Sequence, residues 1–488
     1  MALSENLLLL ASILVFFAIL IHKVGARFGA PSLLLFLLLG MAAGGDGLGL
    51  KFDDYHRAES IGHFAMTIIL FAGGLQTSIK ETKPVLRQGI LLSTLGVILT
   101  TVLTGAFIFL VAGTRIGALG SSLLGCILLA AIMSSTDSAS VFSVLHGKRL
   151  HLRENLGPML ELESGSNDPM AYMLTIILTN VLATSKASAA GAWSLAGGAV
   201  LTAAVQIAVG LAVGYALGYG AKWALEKINL TSHSLYSILI LSIAFFANGM
   251  ASLLHGNGLL ALYLVAVIIS NKADIPQKKD VLKFFEGLTW LMQLLMFLML
   301  GLLASPSQMA PVAPVAALIG LFMMLVARPA SVFISLLPFR KLSFKAKTLI
   351  SWVGLKGAGP ILFAMYPVVA GIEGSADLFN IVFCISLLSL LLQGMSLTPV
   401  AKRLNLSYEE DPDVETFGME IPEEMGMLRD HVVTEADLEG GATLRDMHLP
   451  HGIRVMMVRR GDKFLVPHGS MPLLPDDHLL IMMGESDD

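Results

Sequence analysis

Of the 488 residues, 55% are hydrophobic and only 14% charged, where an average soluble domain carries about 25% charge, so most of this chain cannot be surfaced for water. The net charge of −4 gives no basis for nucleic-acid binding. The two cysteines, Cys126 and Cys384, both lie in apolar stretches and read as small packing residues rather than a disulfide.

The charge is unevenly placed, and this divides the chain into a membrane domain over 1–400, an acidic linker over 401–419 and a small cytosolic domain over 420–488. A bilayer core of ~30 Å needs about 20 apolar residues in a helix. Such runs occur at 4–22, 31–46, 61–78, 90–112, 121–145, 156–182, 194–219, 235–254, 257–271, 288–304, 312–337, 348–372 and 378–398, about thirteen in all. The first run has no basic leader and ends in His22-Lys23, so it reads as a span rather than a removable signal peptide. The fold class expected is an all-α polytopic membrane domain followed by a small α+β domain.

The loops supply an orientation. Those after odd-numbered runs carry basic clusters, among them Lys80, Lys83 and Arg87; Lys148, Arg149 and Arg153; Lys272, Lys278, Lys279 and Lys283; and Arg340, Lys341, Lys345 and Lys347. Those after even-numbered runs hold only Lys51, Arg57, Arg115 and Lys186. Basic loops stay in the cytosol, which places the N-terminus outside and the C-terminal domain inside an inner (plasma) membrane. An odd number of spans also leaves runs 1–6 and 8–13 in opposite orientations, the inverted-repeat plan of secondary transporters. The fifth and twelfth runs then correspond, and both are interrupted: Ser134-Ser135-Thr136-Asp137-Ser138 in one, Gly354-Leu355-Lys356-Gly357-Ala358-Gly359-Pro360 in the other.

Ionisable residues at bilayer depth cost roughly 2.5–3.5 kcal/mol each, so they mark pathways or pairs. They are Asp137, Glu161, Glu163, Asp168, Arg328 and Lys356. Two bases cannot neutralise four carboxylates. In the sixth run Ser164 and Asp168 stand four residues apart on one helix face, as do Glu163 and Asn167 on another. A hydroxyl beside a carboxylate offers oxygen ligands to an alkali cation, and Pro169 strains the helix there. Arg328 needs a permanent partner, for which Glu163 is the choice and Glu161 the competitor. Asp137 and Lys356 sit beside the two breaks, where they can neutralise helix ends; Asp137 as a second carrier carboxylate is the alternative.

Thr136-Asp137 in a broken span, Glu163-Ser164-x-x-Asn167-Asp168 in the next, Arg328 in the eleventh and Gly354-Leu355-Lys356-Gly357 in the twelfth together resemble the cation:proton antiporter superfamily, NhaP-type branch. The resemblance implies Asp168 as the ion- and proton-binding carboxylate, with Ser164, Thr136 and Asn167 beside it. It also implies a Glu163–Arg328 ion pair, one-for-one exchange because Asn167 stands where electrogenic relatives carry a second aspartate, and a homodimer. Asp137-Ser138 replaces the usual Asp-Pro, and Lys356 a common Arg. Residues 440–484, with Leu444-Arg-Asp-Met-His-Leu-Pro450 and alternating strands, resemble the RCK_C (TrkA-C) module, which implies a dimerisation role or a cytosolic small-molecule regulator. The two resemblances together favour K+ over Na+ as the cation exchanged for H+.

No cofactor is expected. A potassium channel would need a carbonyl-lined filter of the TVGYG kind, which is absent. A membrane enzyme would need a metal cluster or nucleophile elbow, and neither motif occurs; the chain reads as a transporter, not an enzyme.

Overall fold

Helix fills the N-terminal part of the chain because backbone polar groups in hydrocarbon can bond only to one another. The computed structural model describes residues 2–28, 31–50, 52–112, 120–146, 150–185, 192–230, 232, 234–409, 428–434, 436–438, 441, 443–447, 453–461 and 463–483. The chain divides into two units, Met1–Tyr408 and Glu409–Asp488. Most of the acidic linker expected at 401–419 falls outside the described residues.

The helices of the first unit are α1 (Ala2–Phe28), α2 (Ser32–Ala43), α3 (Tyr55–Gln76), α4 (Ile79–Val111), the broken α5 (Leu123–Ile132 and Ser138–His146), α6 (Leu156–Ser185), α7 (Ala192–Lys227), α8 (Ser234–Leu253), α9 (Gly258–Lys272), α10 (Lys278–Leu303), α11 (Ala313–Ser335), the broken α12 (Phe344–Trp352 and Ala358–Val369) and α13 (Ser375–Arg403). Each overlaps one predicted run. Among the described residues, α3, α4, α7, α8, α10, α11 and α13 contain segments long and apolar enough to cross a bilayer, while α2, α9 and the apolar half-helices are shorter. The polar stretch Glu161–Asp168 sits inside α6, which is otherwise long enough.

The packing has the partner exchange of an inverted repeat. Gly40 of α2 meets Gly301 of α10 so closely that a Cβ on either would overlap the other helix's backbone. Gly74 of α3 likewise abuts Tyr263 and Ala266 of α9. If α2 corresponds to α9 and α3 to α10, one contact maps onto the other. The corresponding helices α4 and α11 each contain a π-turn, at Leu92–Gly96 and Met323–Ala327, and Thr100 donates a hydrogen bond to Ser331 across them at 2.8 Å.

The described part of the second unit is a four-stranded antiparallel sheet with strands β1 (Leu428–Val432), β2 (Ile453–Arg460), β3 (Lys463–Leu465) and β4 (His478–Met483) in the order β1-β4-β2-β3. Its core includes Val433, Val458, Leu473, Leu479 and Ile481. A buried Asp477 pairs with Arg460 at 2.7 Å.

Candidate functional site

The two interrupted helices cross at their breaks. Where a helix stops, its last carbonyls and first N–H groups lack partners, and the ends carry roughly half a charge. The Asp137 N–H donates to the Leu355 carbonyl at 2.9 Å, joining one break to the other. The buried Lys356 Nζ donates to the Ser135 carbonyl at 2.8 Å, at the negative end of Leu123–Ile132. Asp137 accepts from the Ser140 N–H at 3.0 Å and the Ser140 hydroxyl at 2.5 Å, at the positive end of Ser138–His146. Its carboxylate also lies against Gly357, the N-cap just before the second half of α12; any Cβ there would overlap it. Asp137 and Lys356 therefore sit at helix ends of opposite sign, the geometry of charge compensation.

Alongside this crossing runs the polar stretch of α6. Glu163 and Arg328 are both almost fully buried and meet at 2.5 Å between Oε1 and Nη2 as an ion pair. Glu161, the competitor for Arg328, faces the cavity instead. Ser164 donates to the Thr136 carbonyl at 2.8 Å, and the Asn167 amide donates to the Thr136 hydroxyl at 2.5 Å. The Ser135 hydroxyl hydrogen-bonds to the Asp168 carboxylate. Directly after Asp168, the missing N–H of Pro169 leaves the Gly165 carbonyl one turn back without its helical partner, and the Tyr263 ring packs so tightly on Gly165 that no side chain fits.

A cavity of about 590 Å³ reaches Asp168, and Ser135, Asp137, Ser164 and Glu161 also line it. Of the four residues expected around the ion, Asp168 and Ser164 are on its wall. Thr136 and Asn167 are not; they bond to one another behind it and fix the position of the loop. The exposed Gln76, at the end of α3 that leads to Lys80, lies on the wall, as do the exposed Glu286 and Trp290 of α10. Beyond Asp168 along α6, Tyr172 packs on the rings of His63 at 5.8 Å and Tyr366 at 5.3 Å, and none of the three lines the cavity.

Sequence reasoning missed three positioning residues. Ser135 was visible as part of an unusually polar run, but adjacency could not say that it reaches Asp168. Asn257 caps α9 by accepting from the Leu260 N–H at 3.0 Å, and its amide donates to the Pro169 carbonyl at 2.8 Å. Tyr263 is an aromatic residue in an apolar helix and carries no signal by itself.

Residues 11–403 match the family described as sodium/hydrogen exchanger, transmembrane, and residues 432–487 match the TrkA-C domain. The chain is 35% identical over 487 residues to a protein of Shewanella oneidensis named K(+)/H(+) antiporter NhaP2, covering 99% of this chain and 82% of that one. It is also 35% identical over 488 residues to K(+)/H(+) antiporter NhaP of Alkalimonas amylolytica, covering 98% of this chain and 81% of the other. In three dimensions it resembles the sodium proton antiporter MjNhaP1 of Methanocaldococcus jannaschii with a TM-score of 0.67 at 21% identity, over 81% of this chain and all of that one. With its membrane domain matched almost end to end and its close relatives aligned along nearly the whole chain, the protein belongs to the sodium/hydrogen exchanger family.

Proposed function

We propose that the protein exchanges potassium for protons across a bacterial inner membrane, one cation for one proton, and that Asp168 holds each in turn. The observation that carries this reading is the state of the Asp168 carboxylate. It lies on the cavity wall beside the Ser164 and Ser135 hydroxyls, and no ion pair engages it among the described residues, whereas Glu163 is committed to Arg328. A carboxylate so placed takes either a proton or an alkali cation, and the site's net charge is the same with either. Potassium is favoured because full-length relatives bear K(+)/H(+) antiporter names. The basic loops support a cytosolic opening of the cavity, and the chain works as a homodimer in a lipid bilayer.

The decisive experiment is exchange by the purified protein in proteoliposomes, with K+, Na+, Rb+ and Li+ in parallel. Asp168→Asn, whose amide cannot titrate, is expected to fold and to lose exchange altogether. Exchange at near wild-type rate in that variant overturns the mechanism.

A further inference from the structure

We propose that the α10 wall of the cavity is a second cation station, at which Glu286, Thr289 and Gln293 receive an incoming, partly hydrated alkali cation ahead of Asp168. The proposal rests on the exchange reading above and deepens it.

These three residues stand three and four apart in sequence and so share one face of α10. All three line the same cavity as Asp168 and Ser164. Their environments are graded. Glu286 is exposed at the rim, Thr289 is half-buried, and Gln293 is only 6% exposed. The Thr289 Oγ1 is shielded from solvent and has no hydrogen-bond partner among the described residues. Nor does any hydrogen bond engage the Gln293 amide among the described residues. Burying such groups without a partner is costly, so a chain that does so beside a cavity leaves them for what enters the cavity.

The chemistry of the wall selects the visitor. Asp137, Glu161, Asp168 and Glu286 line the cavity with carboxylates, which attract a cation and repel an anion. An amide carbonyl, a hydroxyl and a carboxylate are all hard oxygen ligands, suited to an alkali ion. Two of the three are neutral, so they replace part of a hydration shell without trapping the ion, as a multi-site pathway requires. The flanking Trp290 and Phe297 also line the cavity and limit how much water accompanies it. Ions that give up water easily gain most from such a station, which favours K+ and Rb+ over Na+ and Li+.

The test uses the full chain in proteoliposomes and reads KM and kcat for K+, Rb+ and Na+ at fixed pH. Gln293→Leu and Thr289→Val each remove one oxygen ligand while keeping the volume. Each is expected to raise the KM for K+ about fivefold, with kcat falling less than KM rises and the K+/Na+ preference reduced. Gln293→Glu keeps an oxygen and is expected to hold KM at or below the wild-type value. Glu286→Gln serves where a deeper variant fails to fold. Wild-type KM values for all three cations across these variants overturn the proposal and make the stripe a merely hydrated wall. Equal losses in Gln293→Leu and Gln293→Glu also overturn it, in favour of packing. If wild-type protein exchanges no cation for protons, the exchange reading fails and takes this inference with it. If wild type is active, Asp168→Asn is dead and the α10 variants are normal, this inference alone fails.

Discussion

At the level of single side chains, the membrane unit holds a buried ion pair, Glu163–Arg328, apart from the Asp168 carboxylate, which no ion pair engages among the described residues. Glu163 and Arg328 are nearly inaccessible and meet one another, so removing either strands the other in a low-dielectric interior, a loss of commonly 3–5 kcal/mol. Glu163→Ala and Arg328→Ala are therefore expected to lower the unfolding temperature and expression in detergent far more than they change apparent cation affinity. Collapse of affinity at unchanged stability makes Glu163 a ligand instead. Asp168 behaves oppositely, since its loss is expected to remove turnover with little effect on folding. If one carboxylate serves both ions, as proposed, the apparent KM for the cation is expected to rise as the pH of the cation-loading side falls, and a KM independent of pH contradicts the shared site.

At the level of elements, the two breaks act as one unit. Lys356 serves the carbonyl end left by the first half of α5, and Asp137 serves the N–H end that begins the second half. Charges at helix ends contribute roughly 0.3–1 kcal/mol when exposed and up to ~2 kcal/mol when partly buried. Lys356→Met is expected to destabilise the crossing at the upper end of that range, seen as a lower unfolding temperature. Gly357→Ala places a methyl group on the Asp137 carboxylate and is expected to destabilise, the reverse of the usual Gly-to-Ala gain in a helix. Unchanged unfolding in both variants means that the crossing does not depend on these contacts.

For the whole molecule, the proposed one-for-one exchange would make the cycle electroneutral. A clamped membrane potential is expected to leave the rate unchanged; uphill cation movement driven by potential alone brings in a second carboxylate, with Asp137 the first to examine. Deleting 408–488 is expected to preserve ion preference while shifting the pH or cation threshold for activity, and identical profiles reduce that unit to assembly. The C-terminal unit also has its own acid limit. Burial by itself raises the Asp477 carboxyl, but the Arg460 guanidinium and the Leu474 N–H outweigh it and hold it below the usual 3.8. A depressed folded-state value means stability that is present above the unfolded value and lost as pH falls through the folded one. The window therefore lies below about pH 4, where Asp477→Asn is expected to flatten the acid dependence of that unit's unfolding.

The sequence by itself determined the order of the helical elements, the positions of both breaks and the short set of intramembrane charges, because each depends only on neighbours in the chain. Apolar runs of bilayer length must become helices whatever they later touch, and the i, i+4 spacing of Ser164 and Asp168 puts them on one face before any tertiary contact exists. The choice of Arg328 for Glu163 rested on charge balance and the family resemblance, and the fold places the two in contact. Other features were decided only in three dimensions. Ser135 reaches Asp168, Asn257 reaches the Pro169 carbonyl, Glu161 faces the cavity rather than Arg328, and Thr136 and Asn167 bond behind the wall rather than on it. The α10 stripe belongs with these. Glu286, Thr289 and Gln293 are an unremarked periodicity in sequence, and only the tertiary packing brings their shared face to the cavity that Asp168 lines. Periodicity fixes which side chains share a face, but which face meets which helix follows from long-range packing of glycine contacts such as Gly40 on Gly301.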